Sequence, residues 1–127
     1  MIINQKETLE ELSQVFAEYE TALVNNDIAT LDRLFWNNPL TVRYGAGENL
    51  YGYQDIQAFR NARSTKGLNR AITQQVITTY GDSMGCTHIE YTNLSSGRLG
   101  RQTQTWMKQQ DQWVVVSAHV SWLELPK

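Results

Sequence analysis

The chain reads as an α+β protein in which helices come first and a strongly curved antiparallel sheet follows, the helices covering one sheet face. Three observations predict this. Apolar residues recur at helical spacing near the amino terminus. A glycine turn then joins two short strands ahead of another helix. From Arg70 onward the chain is almost wholly strand-like, with long runs separated by short polar turns. At 127 residues and 41% hydrophobic, it is long enough for one core, and residues 1–127 are read as a single domain.

The first helix is expected from about Gln5 to Val24. Leu9, Leu12, Phe16, Tyr19 and Leu23 recur at intervals of three and four, while Glu10, Glu11, Glu18 and Glu20 fall largely off that stripe. Tyr19 thus sits on the buried face with a hydroxyl that needs a partner. Asn25, Asn26 and Asp27 break the helix and cap a short second one carrying Leu31, Leu34 and Phe35; Asn37, Asn38 and Pro39 end it.

Leu40, Val42 and Tyr44 then alternate with Thr41 and Arg43, the period of a half-buried strand, so Arg43 faces away from the most apolar residues. Gly45 and Gly47 allow a reversal, Glu48 to Tyr51 return along the first strand, and a helix ending near Ser64 carries Ile56, Phe59 and Ala62. After a polar loop, four strands follow: Arg70 to Tyr80, Met84 to Leu94, Leu99 to Lys108 and Trp113 to Glu124. Their short turns make them an antiparallel meander.

A sheet bent around helices leaves a cone with a hollow for a small ligand. Strict alternation in the last strand puts Trp113, Val115, Ser117, His119, Ser121 and Leu123 on one face, and Val114, Val116, Ala118, Val120 and Trp122 on the other. Both faces then carry apolar residues, and a second copy of the chain is the simplest cover for the outer one, giving a homodimer through the sheet face.

Composition excludes several classes. A net charge of -2, with eleven scattered Lys and Arg, argues against a basic nucleic-acid surface. The single cysteine, Cys86, cannot form an internal disulfide, and no signal-like or membrane-length apolar run is present, so a cytoplasmic protein without membrane attachment is expected. Two histidines without clustered spacing support no metal site, no cofactor motif is found, and the GAG at Gly45 lacks the continuation of a phosphate loop. Neither a GxSxG elbow nor an activated cysteine supports nucleophilic catalysis.

The run RYGAGENLYGYQDIQAFRNAR, with the later GRQTQTWMK and WVVVSAHVSW, resembles the small AtzH-like and HpxZ-like proteins of dicarboxyurea and oxalurate catabolism. These belong to the nuclear-transport-factor-2-like, or SnoaL-like, superfamily, whose cone-shaped fold is also called cystatin-like. The resemblance extends from the first helix to Ser121. It implies a small anionic ligand, with Tyr19 and Arg43 matching the family's catalytic tyrosine and arginine. Such a pair has a physical rationale: a guanidinium grips a carboxylate or carbamate through parallel hydrogen bonds, and a phenol orients the same group or passes a proton. The chemistry implied is metal-independent hydrolysis or decarboxylation of a carboxylated ureide.

Each candidate also has a plainer reading. Arg43 could instead pair with Glu48 across the turn, and Tyr19 could be a core residue with a satisfied hydroxyl. Arg63, four residues after Phe59, is either a second anion contact or a solvated or capping residue. Gln102, Gln104 and Trp106 share one strand face and would line the pocket with polar groups and an aromatic wall, or decorate a dimer sheet. His119, flanked on its face by Ser117 and Ser121, is a general base or a packed histidine. Phe59, Arg63, Gln102, Trp106, His119 and Ser121 are thus the substrate-binding candidates beside Tyr19 and Arg43. Trp113, Trp122 and Cys86 are read as packing or interface residues. A rival class is a non-catalytic dimeric accessory subunit of an amidase. A third reading, a polyketide-cyclase-like or ketosteroid-isomerase-like enzyme, needs a carboxylate base in the cone, for which Glu90 is the candidate.

Overall fold

The computed structural model describes residues 1–124. Three helices, α1 (Lys6–Val24), α2 (Ile28–Leu34) and α3 (Tyr53–Ala62), pack on one six-stranded sheet. Its strands are β1 (Val42–Tyr44), β2 (Asn49–Tyr51), β3 (Arg70–Tyr80), β4 (Met84–Asn93), β5 (Leu99–Gln109) and β6 (Gln112–Trp122). The α+β class and the helix-covered curved sheet expected from the sequence are present. The last three residues of the single domain read as 1–127 lie outside the described residues.

The stripe on α1 goes where its period directs it: Leu12, Phe16, Tyr19 and Leu23 are buried, together with Leu31, Leu34 and Phe35 of the α2 segment. Asp27 caps α2 by accepting from the Thr30 backbone N–H and hydroxyl. The sheet order is β2-β1-β6-β5-β4-β3. The β1–β2 hairpin therefore joins the end of the meander, where β1 runs parallel to β6 with Arg43 opposite Ala118. Leu40 and Tyr44 remain exposed while Thr41 is fully buried, so β1 turns its polar side inward and carries Arg43 with it.

The face assignment of β6 requires a correction. Ser117 pairs with Thr105 but Val115 pairs with Trp106, leaving Val116 as an extra residue between them. A bulge shifts the alternation by one. Trp113 and Val115 point inward before it; Ala118, Val120 and Trp122 point inward after it, whereas Ser117, His119 and Ser121 face out. The outer face of β6 is consequently more polar than alternation implied, and the apolar residues invoked there for a covering partner mostly belong to the core.

Candidate functional site

Four guanidinium groups point into the space between the helices and the sheet. Three are each held by one carboxylate. Arg43 donates through Nη1 to Glu48 at 2.7 Å, Arg60 through Nη1 to Asp32 at 2.6 Å, and Arg70 grips Glu20 through both Nε and Nη2. Aromatic faces support the same cations: Phe59 lies under Arg43 at 5.5 Å, Phe35 under Arg60 at 4.7 Å and Tyr91 under Arg70 at 4.5 Å. Gly45 makes room for the first pair, since a Cβ there would fall 1.8 Å from the Glu48 carboxylate.

The fourth, Arg63, follows the last residue of α3 and differs from the others. Its Nε and Nη2 are buried without a hydrogen-bond partner among the described residues. Burial lowers its pKa; the Tyr19 phenol opposes that, and the charges of Arg60, Arg43 and Arg70 add to it. For Arg70 burial also acts downward, but the hydrogen bonds and charge of Glu20 overcome it and raise the pKa. Burial likewise raises the pKa of Tyr91, while the charge and hydrogen bond of Arg70 and the charge of Arg43 oppose it.

The sheet supplies two further donors to this interior. Trp106 donates its indole N–H to the Thr87 hydroxyl at 3.0 Å, and the Thr87 proton is then directed to Gln104 Oε1, also at 3.0 Å. An indole can only donate, so the relay has one direction and fixes the Gln104 amide with its NH2 turned away. Arg70 Nη2 fixes Gln102 in the same manner by donating to its Oε1 at 3.3 Å. Both Nε2 groups are buried without a partner among the described residues.

Tyr19 completes the arrangement. Its ring is stacked on Phe16 at 6.1 Å, tilted toward Phe35 and edge-on to Trp106 at 6.3 Å, which holds the phenol between α1 and β5. The structure thus brings Tyr19, Arg43, Phe59, Arg63, Gln102 and Trp106 to one side of the sheet. The bulge places His119 and Ser121 on the other side, where they line an outer groove of about 420 Å³ with Arg101 and Thr103, and His119 packs edge-on to Tyr44. Glu90 is also on that outer face.

Sequence reasoning passed over Arg60, Arg70, Glu20, Asp32, Thr87 and Tyr91. Arg60 lies four residues after Ile56 on the same helical face, a spacing that marks it as inward. Glu20 and Asp32 carry no such signal, because each turns inward only to meet a cation distant in sequence. Among the described residues, no group of three His, Cys, Asp or Glu side chains is placed to hold a metal ion.

The model of the AtzH-like family matches residues 1–125. Among solved structures, the chain is 50% identical to a protein of unknown function from the DUF3225 family of Pectobacterium atrosepticum, covering 96% of this chain and 95% of that one with a TM-score of 0.93. It is 38% identical to a cystatin-like fold protein of Burkholderia xenovorans, covering 99% of both chains with a TM-score of 0.94. A nuclear-transport-factor-2-like superfamily protein of Salmonella enterica shares the fold at 18% identity, covering 95% and 94% with a TM-score of 0.76. No curated protein matches the chain.

Proposed function

From the premise that the chain belongs to the AtzH-like family, we propose that it is a metal-independent enzyme acting on a small carboxylated ureide of the dicarboxyurea or oxalurate type. The observation that supports this reading is the placement of a buried Tyr19 against Phe35, whose face also carries Arg60, with Arg43 over Phe59 of the same helix as Arg60. Glu48 occupies Arg43 Nη1, and a guanidinium has five N–H donors, so others remain for a ligand. As the bond between the ureide nitrogen and a departing CO2 breaks, negative charge develops on the ureide oxygen. Arg43 would stabilise that charge, and the phenol of Tyr19 would supply the proton that the nitrogen takes up. In the hydrolytic variant water adds to the carbonyl, the same cation holds the oxyanion, and the leaving nitrogen receives the proton.

The Arg43–Glu48 pair also favours a second reading, a dimeric accessory subunit that binds the acid for a separate amidase, because a cation already neutralised is less available for chemistry. The ketosteroid-isomerase-like alternative loses its proposed base, since Glu90 faces out and Glu20, Asp32 and Glu48 are each engaged by an arginine.

Mass-spectrometric product analysis with dicarboxyurea and oxalurate separates the two remaining readings. Turnover that falls by about 100-fold or more in both Tyr19→Phe and Arg43→Ala, with unchanged circular dichroism, is the enzymatic outcome. Calorimetric binding without product points to the accessory role. Parental rates in both variants would clear these two residues of chemistry.

A further inference from the structure

The interior described above contains more than the catalytic pair requires. Among the described residues four cations and three carboxylates meet there: Arg43 with Glu48, Arg60 with Asp32, Arg70 with Glu20, and Arg63 with none. The protein's own groups therefore leave one positive charge uncompensated in a region withdrawn from water, which is costly for the fold taken alone. On the same side of the sheet four buried nitrogens lack a partner among the described residues, Arg63 Nε and Nη2, Gln102 Nε2 and Gln104 Nε2, and all are N–H donors; the Thr79 hydroxyl, also without one, sits on β3 near Gly85 and Leu12. The orientation of these nitrogens is imposed rather than adjustable, since Arg70 and the Trp106–Thr87 relay fix both amide oxygens away from them. A molecule that satisfies them must present acceptors only, and must bring one negative charge.

We infer that this interior receives a monoanion whose carboxylate seats on Arg63 and whose amide or ureide oxygens accept from Gln102 and Gln104. The inference rests on the ureide reading above and narrows it to singly charged acids. Arg63 Nε and Nη2 lie on one edge of the guanidinium, the spacing that suits the two oxygens of a carboxylate. The two glutamines project from alternate positions of β5 on the same face, so both reach one side of a planar ligand. Arg63 fixes the acid in this scheme, while Arg43 and Tyr19 act on the ureide portion. A second carboxylate would meet only cations whose charge Glu48, Asp32 or Glu20 already balances.

The test uses the purified full chain at pH 7 with oxalurate, oxamate, oxalate and urea, followed by calorimetry and thermal melting. Oxalurate and oxamate, both monoanions with an amide oxygen, are expected to bind at least about tenfold more tightly than the dianion oxalate, and urea not at all. Arg63→Met is expected to weaken oxamate by about 100-fold and yet to raise the melting temperature of the ligand-free protein, because it removes an unpaired buried charge. A merely structural arginine would lower it. Gln102→Leu and Gln104→Leu, which keep the volume and remove the donors, provide the same binding readout if Arg63→Met does not fold. Oxamate binding that depends on Arg63 together with an indifferent oxalurate would sustain the monoanion site and overturn the ureide reading. Oxalate binding as tightly as oxamate, no binding of either monoanion, or Arg63→Met and the glutamine variants binding like the parent, would overturn the inference.

Discussion

Thr87 shows how much a single hydroxyl can decide. It accepts from Trp106 and donates to Gln104 within a fully buried row. Thr87→Val keeps the shape, orphans the indole N–H and lets the Gln104 amide rotate. A loss of about 1–3 kcal/mol in urea unfolding is expected, with weaker oxamate binding in calorimetry. Glu11 accepts from Lys108 Nζ at 2.9 Å and Trp113 Nε1 at 3.1 Å. The hydrogen bond from Lys108, then that from Trp113, hold its carboxyl below the usual range, and burial opposes them. A carboxyl whose folded pKa is depressed adds stability above its unfolded pKa, and that stability fades as pH falls through the folded one. Glu11→Gln should therefore flatten the fall in melting temperature below about pH 5 relative to the parent. Since Glu11 is nearly half exposed, solvent screening keeps the effect small.

Among the elements, the strands decide which residues reach the interior. Gly100 lies beneath the Tyr91 ring, and a Cβ there would fall 2.2 Å from Tyr91 Cζ. Tyr91 is held between the Arg70 guanidinium and Trp122, so it has little room to retreat. Gly100→Ala should cost about 1–3 kcal/mol by overpacking, measured as a lower midpoint in urea, and disturb the near-ultraviolet dichroism of the aromatic cluster. The β6 bulge is the second device. Deleting Val116 would remove the extra residue, so that alternation from Val115 carries Ser117 outward and keeps Ala118, Val120 and Trp122 facing inward. A soluble deletion with a cooperative melt is therefore expected, its cost confined to the local twist that the bulge adds; insoluble expression would show that the bulge itself is required.

At the scale of the molecule, α1, α2 and α3 close the inner face, whereas the outer face carries His88, Glu90, Arg101, Thr103, His119 and Ser121 beside the exposed Val76 and Met84. If a second copy covers that face, sedimentation at micromolar concentration should give twice the 14.6 kDa chain mass, and Thr103→Arg should shift it to the monomer; a parent sedimenting as a monomer would remove the partner. No helix among the described residues is long and apolar enough to cross a membrane. The sequence by itself determined the order of elements, the inward stripe of α1 and the shared face of Gln102, Gln104 and Trp106, because period and turn chemistry act within a few residues. It also raised both readings of Arg43, which in the structure pairs with Glu48 and lies over the Phe59 ring. Only the tertiary structure decided that His119 and Ser121 face outward, that Glu20 and Asp32 neutralise arginines far along the chain, and that Arg63 has no carboxylate partner among the described residues. A bulge is one residue in a register, and a charge balance is a sum over side chains that meet only after folding, so neither has a local pattern to read.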